Sequence, residues 1–167
     1  MTLLVMVLTT MTAWADTETV NYIDADGNQQ SVSATVLTGS ESILGELGKT
    51  MWYVVNSNFS HEGQIECYGN VNIILADGCK MTTSNNSDGI NGSNGTLTIY
   101  GQTNGSGTLE ATSTGSSAIC HSGNVGICGG TVNVTSGGKG NLGITANGNV
   151  TINGGTINAT GGTFSMR

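Results

Sequence analysis

From about Gly63 onward, aliphatic residues alternate with Thr, Asn and Gly in runs of four or five. Four such runs align: Asn70-Val71-Asn72-Ile73, Gly95-Thr96-Leu97-Thr98-Ile99, Asn124-Val125-Gly126-Ile127 and Asn149-Val150-Thr151-Ile152. A period of two belongs to a strand with one buried face. Val71, Leu97, Val125 and Val150 lie 26, 28 and 25 residues apart. Each run is preceded by another apolar position: Ile65, Ile90, Ile119 and Ile144. In the last two repeats a third strand follows a Gly-Gly corner: Thr131-Val132-Asn133-Val134 and Thr156-Ile157-Asn158-Ala159.

None of these strands is long enough to bury a core alone. Coiling the chain places Val71, Leu97, Val125 and Val150 on top of one another, with rungs ~4.8 Å apart as in any sheet. Three strands and three corners fill a period near 25 residues. The predicted fold is therefore all-β: a right-handed parallel β-helix (β-solenoid) of about four rungs over residues 61–167. Asn70, Asn94, Asn124 and Asn149 are expected at one corner, where stacked amides bond from rung to rung. Residues 16–60 differ. Val20 to Asp24 and Ser31 to Leu37 read as strands around the turn Ala25-Asp26-Gly27-Asn28. This β-hairpin, with Met51 to Val55, is expected to cap the N-terminal end, and Trp52 to plug it. No capping segment follows the last repeat, so a partner or missing sequence is expected to cover the C-terminal edge.

Composition narrows the function. Charged residues make up 9% of the chain and the net charge is −7. Uncharged polar side chains tolerate stacking, whereas like charges repel. The four basic residues, Lys49, Lys80, Lys139 and Arg167, are scattered, which argues against nucleic acid. Residues 1–15 read as a signal peptide: Leu3 to Leu8 are apolar and Ala13-Trp14-Ala15 fits a cleavage site, although a basic leader is missing. After Asp16 no stretch is apolar enough to span a membrane. Export to the cell surface or medium follows. Cys67, Cys79, Cys120 and Cys128 are even in number, so they are disulfide candidates with three possible pairings.

The rungs from Gly89 to Gly162 resemble secreted β-helix proteins of Bacteroidales-type gut bacteria. The likeness rests on Trp52-Tyr53-Val54-Val55, on Val71 to Gly78, on Leu97 to Gln102 and on the two Gly-Gly-Thr corners at 129–131 and 154–156. They are also similar to a calcium-linked carbohydrate-binding β-helix family that takes acidic plant polysaccharide. That resemblance implies a polysaccharide or surface-glycan partner and possible calcium at an Asp-Gly-Ile corner. The corner occurs once, as Asp88-Gly89-Ile90, with Asp77 as a second candidate ligand. A calcium ion wants six to eight oxygens, and Asp also favours turns for their own sake.

Candidate chemistry follows from the same alternation. If Ile99 points inward, Tyr100 points outward, where it offers a sugar ring a stacking face and a hydroxyl. Tyr68 is the matching outward aromatic before the first rung strand. Glycoside hydrolysis needs two carboxyls flanking a bond, and Glu66, Asp77, Asp88 and Glu110 fall in different repeats and registers. Cys120 and His121 are adjacent, so a strand turns them to opposite faces. The sequence reads as a non-catalytic, exported carbohydrate-binding module. An adhesin-like or structural spacer is the alternative, and a polysaccharide lyase or hydrolase fragment a more distant one.

Overall fold

Fifteen strands and no helix make up residues 16–163, the part of the chain described in this computed structural model. The signal-peptide reading of residues 1–15 lies outside it. Strands β1 (Thr17–Ile23) and β2 (Gln29–Val36) form an antiparallel hairpin. The rest is a parallel β-solenoid of about five turns. Its first turn holds β3 (Ile43–Val55) and β4 (Phe59–Glu62). The second holds β5 (Ile65–Leu75) and β6 (Lys80–Asn85). The third has β7 (Ile90–Ser93), β8 (Thr96–Gly101) and β9 (Thr108–Ser113). In the fourth are β10 (Ile119–His121), β11 (Asn124–Ile127) and β12 (Thr131–Ser136). The fifth ends the stack with β13 (Ile144–Ala146), β14 (Val150–Ile152) and β15 (Thr156–Thr160).

The strands stack into two sheets. The larger is bent, because β3 and β5 run through its corner unbroken while later turns divide there. Its first panel stacks the start of β3, the start of β5, then β7, β10 and β13. Its second panel stacks the remainder of β3 and β5, then β8, β11 and β14. The smaller sheet runs β4, β6, β9, β12, β15. The register aligns Met51, Val71, Leu97, Val125 and Val150 in one inward column. Tyr53, Ile73, Ile99, Ile127 and Ile152 form a second. From β5 to β11 these residues are essentially inaccessible to water. Burial of one aliphatic side chain contributes about 1.5–3 kcal/mol, so stacked columns supply the core that no single strand has.

The turn count is five where the repeats suggested four. The additional turn is 43–62, which reads in sequence as capping strands. Trp52 does not plug the end: Tyr53 does, its hydroxyl accepting from the Gly45 amide at 2.7 Å. Leu37 to Glu41 strap across this first turn. Leu37 is buried and bonded to the Val54 carbonyl, and the Gly39 carbonyl lies 3.0 Å from His61 Nδ1.

One corner explains a column of glycines. A Cβ on Gly95 would lie 2.4 Å from the Gly69 carbonyl oxygen, and one on Gly123 would lie 2.0 Å from that of Gly95. Only a hydrogen fits between successive backbones there. Asparagine behaves differently from expectation. Thr96, not Asn94, stands in register with Asn70, Asn124 and Asn149, since Asn94 takes a left-handed turn conformation at φ 60°. Amide-to-amide stacking occurs instead between Asn133 and Asn158, at 2.8 Å in the smaller sheet.

Candidate functional site

The hairpin lies across the outer surface of the bent sheet's second panel, and the end of β2 joins that sheet, Thr35 and Val36 pairing in parallel with Tyr53 and Val54 of β3. Val20 and Ala34 bury Val54 and Ile74, which point outward from the first two turns. Tyr22 continues this contact: its ring centroid is 4.8 Å from that of Trp52 and 4.9 Å from that of Tyr100. Gln102 ties the two together, its Nε2 donating to the Asn21 carbonyl at 3.0 Å. The turn itself is fastened by Asp24, whose carboxylate accepts from the amides of Asp26 and Asn28 and from Gln30 Nε2. The Asn28 amide foremost, then Gln30, holds this carboxyl below the usual range, although its own desolvation opposes them.

The hairpin covers three turns and leaves the next two open. Beside its turn lies a cleft of about 380 Å³, walled by Ala25 and floored by outward side chains of turns three to five. The floor is a lattice of three by three positions: Thr96, Thr98 and Tyr100; Asn124, Gly126 and Cys128; Asn149, Thr151 and Asn153. Rungs are ~4.8 Å apart and alternate residues along a parallel strand ~6.6 Å apart. Gly126 forms a notch between Thr98 and Thr151, its register partners. Asn124 Oδ1 accepts from the Asn149 amide at 2.9 Å, which fixes one edge of the lattice.

Among the described residues no charged side chain lines the cleft. Burial pushes the Tyr100 phenol and the Cys128 thiol up, with nearby Asp24 adding to both. Both groups are therefore neutral at pH 7. The cleft offers hydroxyls and amides that donate and accept, one aromatic edge, and neither an acid–base pair nor a thiolate.

The sequence candidates are dispersed. Tyr100 lines the cleft, half-buried, with one side given to Tyr22 and Trp52. Tyr68 stands in the first panel, where its hydroxyl donates to the Glu66 carboxylate. Asp77 and Asp88 occupy different corners, at opposite ends of β6. Asp77 accepts from the Asn104 and Ser106 amides, each at 3.0 Å. Burial works to raise its pKa, but these donors prevail and lower it. Asp88 accepts from Ser116 Oγ at 2.6 Å and from the Ser117 amide at 3.2 Å. Each carboxylate thus fastens a neighbouring turn, and the two do not meet. Among the described residues no three His, Cys, Asp or Glu side chains gather as metal ligands would.

All four bridge candidates, Cys67, Cys79, Cys120 and Cys128, are free thiols in this structure. Cys67 points inward in turn two and Cys120 outward in turn four of the first panel. Cys79 sits at the corner before β6, and Cys128 lies in the cleft. Two rungs separate the panel pair by roughly 9.6 Å, beyond the usual 4.4–6.8 Å between bridged Cα atoms.

Comparison with protein-family models, curated proteins and solved structures finds no match to this chain. No helix among the described residues is long and apolar enough to cross a membrane. The cleft residues Thr98, Gly126, Thr151 and Asn153 were not singled out from sequence, although the aligned repeats contain their signal. They are the polar positions alternating with the stacked aliphatics. Nothing in the sequence announces that the hairpin turn lands beside them.

Proposed function

We propose that this chain is a non-catalytic, exported carbohydrate-binding module whose ligand lies in the cleft beside the hairpin turn. The observation that carries this reading is the uncharged lattice of Thr, Asn and Gly with a tyrosine at its edge. Threonine hydroxyls and asparagine amides both give and accept hydrogen bonds, which is the duality that sugar hydroxyls require. Tyr100 adds an aromatic edge for the apolar side of a ring. The first two rows of the lattice are held by strands on either side and the third by one, so the backbone beneath the ligand is already ordered before binding. The Gly126 notch admits a substituent that any larger residue would block. An absence of cations lining the cleft favours neutral over acidic sugars. Glu66, Asp77, Asp88 and Glu110 stand apart around the solenoid, which favours binding without cleavage. Export rests on the Ala13-Trp14-Ala15 pattern.

A glycan array of neutral and acidic oligosaccharides, followed by titration calorimetry with the best neutral ligand, tests this. Thr151→Arg, at an exposed position on the cleft floor, is expected to weaken binding at least ~10-fold, the equivalent of about 1.4 kcal/mol. Binding to no glycan, or an unchanged affinity in Thr151→Arg, would return the chain to the spacer reading.

A further inference from the structure

The outer face of the smaller sheet takes no part in the cleft or in hairpin packing. Its last three strands carry Thr108 and Thr112, Thr131 and Thr135, and Thr156 and Thr160, in matched register. Strand alternation turns all six outward, while Leu109, Val132 and Val134 turn into the core. The threonines therefore form two columns, ~4.8 Å between rungs and ~13 Å across. Their hydroxyls have no partner among the described residues. Between the columns the Asn133–Asn158 bond at 2.8 Å stiffens the middle of the face. The charged residue in these three strands is Glu110, which Lys80 meets at 3.0 Å.

The chemistry of this face selects among partners. Protein interfaces centre on apolar and aromatic anchors, and none points outward here. Phosphate backbones and anionic lipid surfaces need clustered cations, which are missing from these strands. What the face does offer is a rigid, repeating set of unused hydroxyls and methyls. Its pitch is close to the repeat of one sugar ring along an extended chain. A neutral polymer whose own hydroxyls recur at that interval satisfies a row of them at once, and each threonine methyl covers part of a ring's apolar side.

We propose that this face is a second binding surface, for an extended uncharged polysaccharide lying along the solenoid axis. It goes beyond the cleft reading, since it uses a different sheet and different side chains.

The test measures pelleting of the full chain with amorphous cellulose, insoluble mannan and insoluble β-1,3-glucan. All measurements are made in a Thr151→Arg background, which weakens binding in the cleft. Retention by at least one of the three is expected. In that background Thr131→Val, Thr135→Val and Thr156→Val together are expected to reduce retention about tenfold, while leaving circular dichroism and the unfolding midpoint unchanged. Valine keeps the shape and strand preference and deletes only the hydroxyl. Thr135→Lys, a single exposed change, gives the same loss by an independent route. Retention by none of the three solids overturns the proposal, as does equal retention by the hydroxyl-deleted protein. A cleft that fails its own titration leaves this outcome unaltered, so the two readings fall separately.

Discussion

His121 occupies the interior column between Gly92 and Ala146 and is 1% exposed. Its ring fills the space that a side chain at residue 92 would need, because a Cβ there would lie 1.9 Å from His121 Cδ2. Nδ1 accepts from the Gly123 amide at 2.9 Å, so the neutral ring carries its proton on Nε2, which has no partner. Below Gly92 in the same column is Cys67, a thiol that burial pushes up to about 12 and therefore uncharged. Burial likewise lowers the His121 pKa. Its folded value thus lies below its unfolded one, and the unfolded chain binds the proton first as pH falls. Stability from this site is complete above the unfolded value, ~6.5, and is lost as pH drops through the folded value. His121→Asn retains an acceptor for Gly123 without the titration. Its urea midpoint is expected to change less than wild type between pH 7.5 and pH 5. Equal losses in the two proteins would exclude His121 as the cause. Sequence alternation separates Cys120 and His121 correctly, and half-buried Cys120 does face outward. The glycine one turn earlier that makes room for the ring is invisible until the strands are in register.

At the scale of elements, the hairpin and its turn are legible, because Val20 to Asp24 and Ser31 to Leu37 alternate around Asp26-Gly27. Where the hairpin docks is not legible, since its contacts are distant in sequence. One clue exists in hindsight. Trp52-Tyr53-Val54-Val55 is apolar at every position, which a strand covered on one face does not need. The tyrosine and second valine face the solenoid core, and Trp52 and Val54 face the hairpin. The aromatic contact among Tyr22, Trp52 and Tyr100 is thus the clasp that holds the hairpin down. Trp52→Ala is expected to cost roughly 2 kcal/mol, less than the ~3–5 of a fully buried aromatic. It should also reduce near-ultraviolet circular dichroism. A denaturant midpoint equal to wild type would show that Val54 and Ile74, the Gln102 bond and the pairing of β2 with β3 hold the hairpin without the aromatic contact.

Across the whole molecule, each turn touches mainly its neighbours, so stability is close to a sum over turns and interfaces. The two ends are unlike. Leu37 to Glu41 and Tyr53 close the first turn, whereas Val150 and Ile152 in the fifth are 47% and 56% exposed. Their counterparts Val125 and Ile127, one turn earlier, are almost wholly covered. Amide hydrogen exchange followed by mass spectrometry is expected to be fastest in β13 to β15 and slowest in β5 and β8. Uniform protection along the stack would mean that another surface covers the fifth turn in solution. The repeat was legible because Val71, Leu97, Val125 and Val150 keep their spacing. The first turn was not, because the excursion at Glu46 to Lys49 interrupts β3 and shifts its register. Between turns four and five the pairs Ile119 and Ile144, Val125 and Val150, and Thr131 and Thr156 all share one offset of 25 residues. Excising a block of that length, from Ile119 to Gly143, would join Ala118 to Ile144 with every later residue already in phase. The length of this scaffold is therefore an adjustable quantity: whole coils can be dropped or duplicated by recombination while the hairpin and the strap stay untouched.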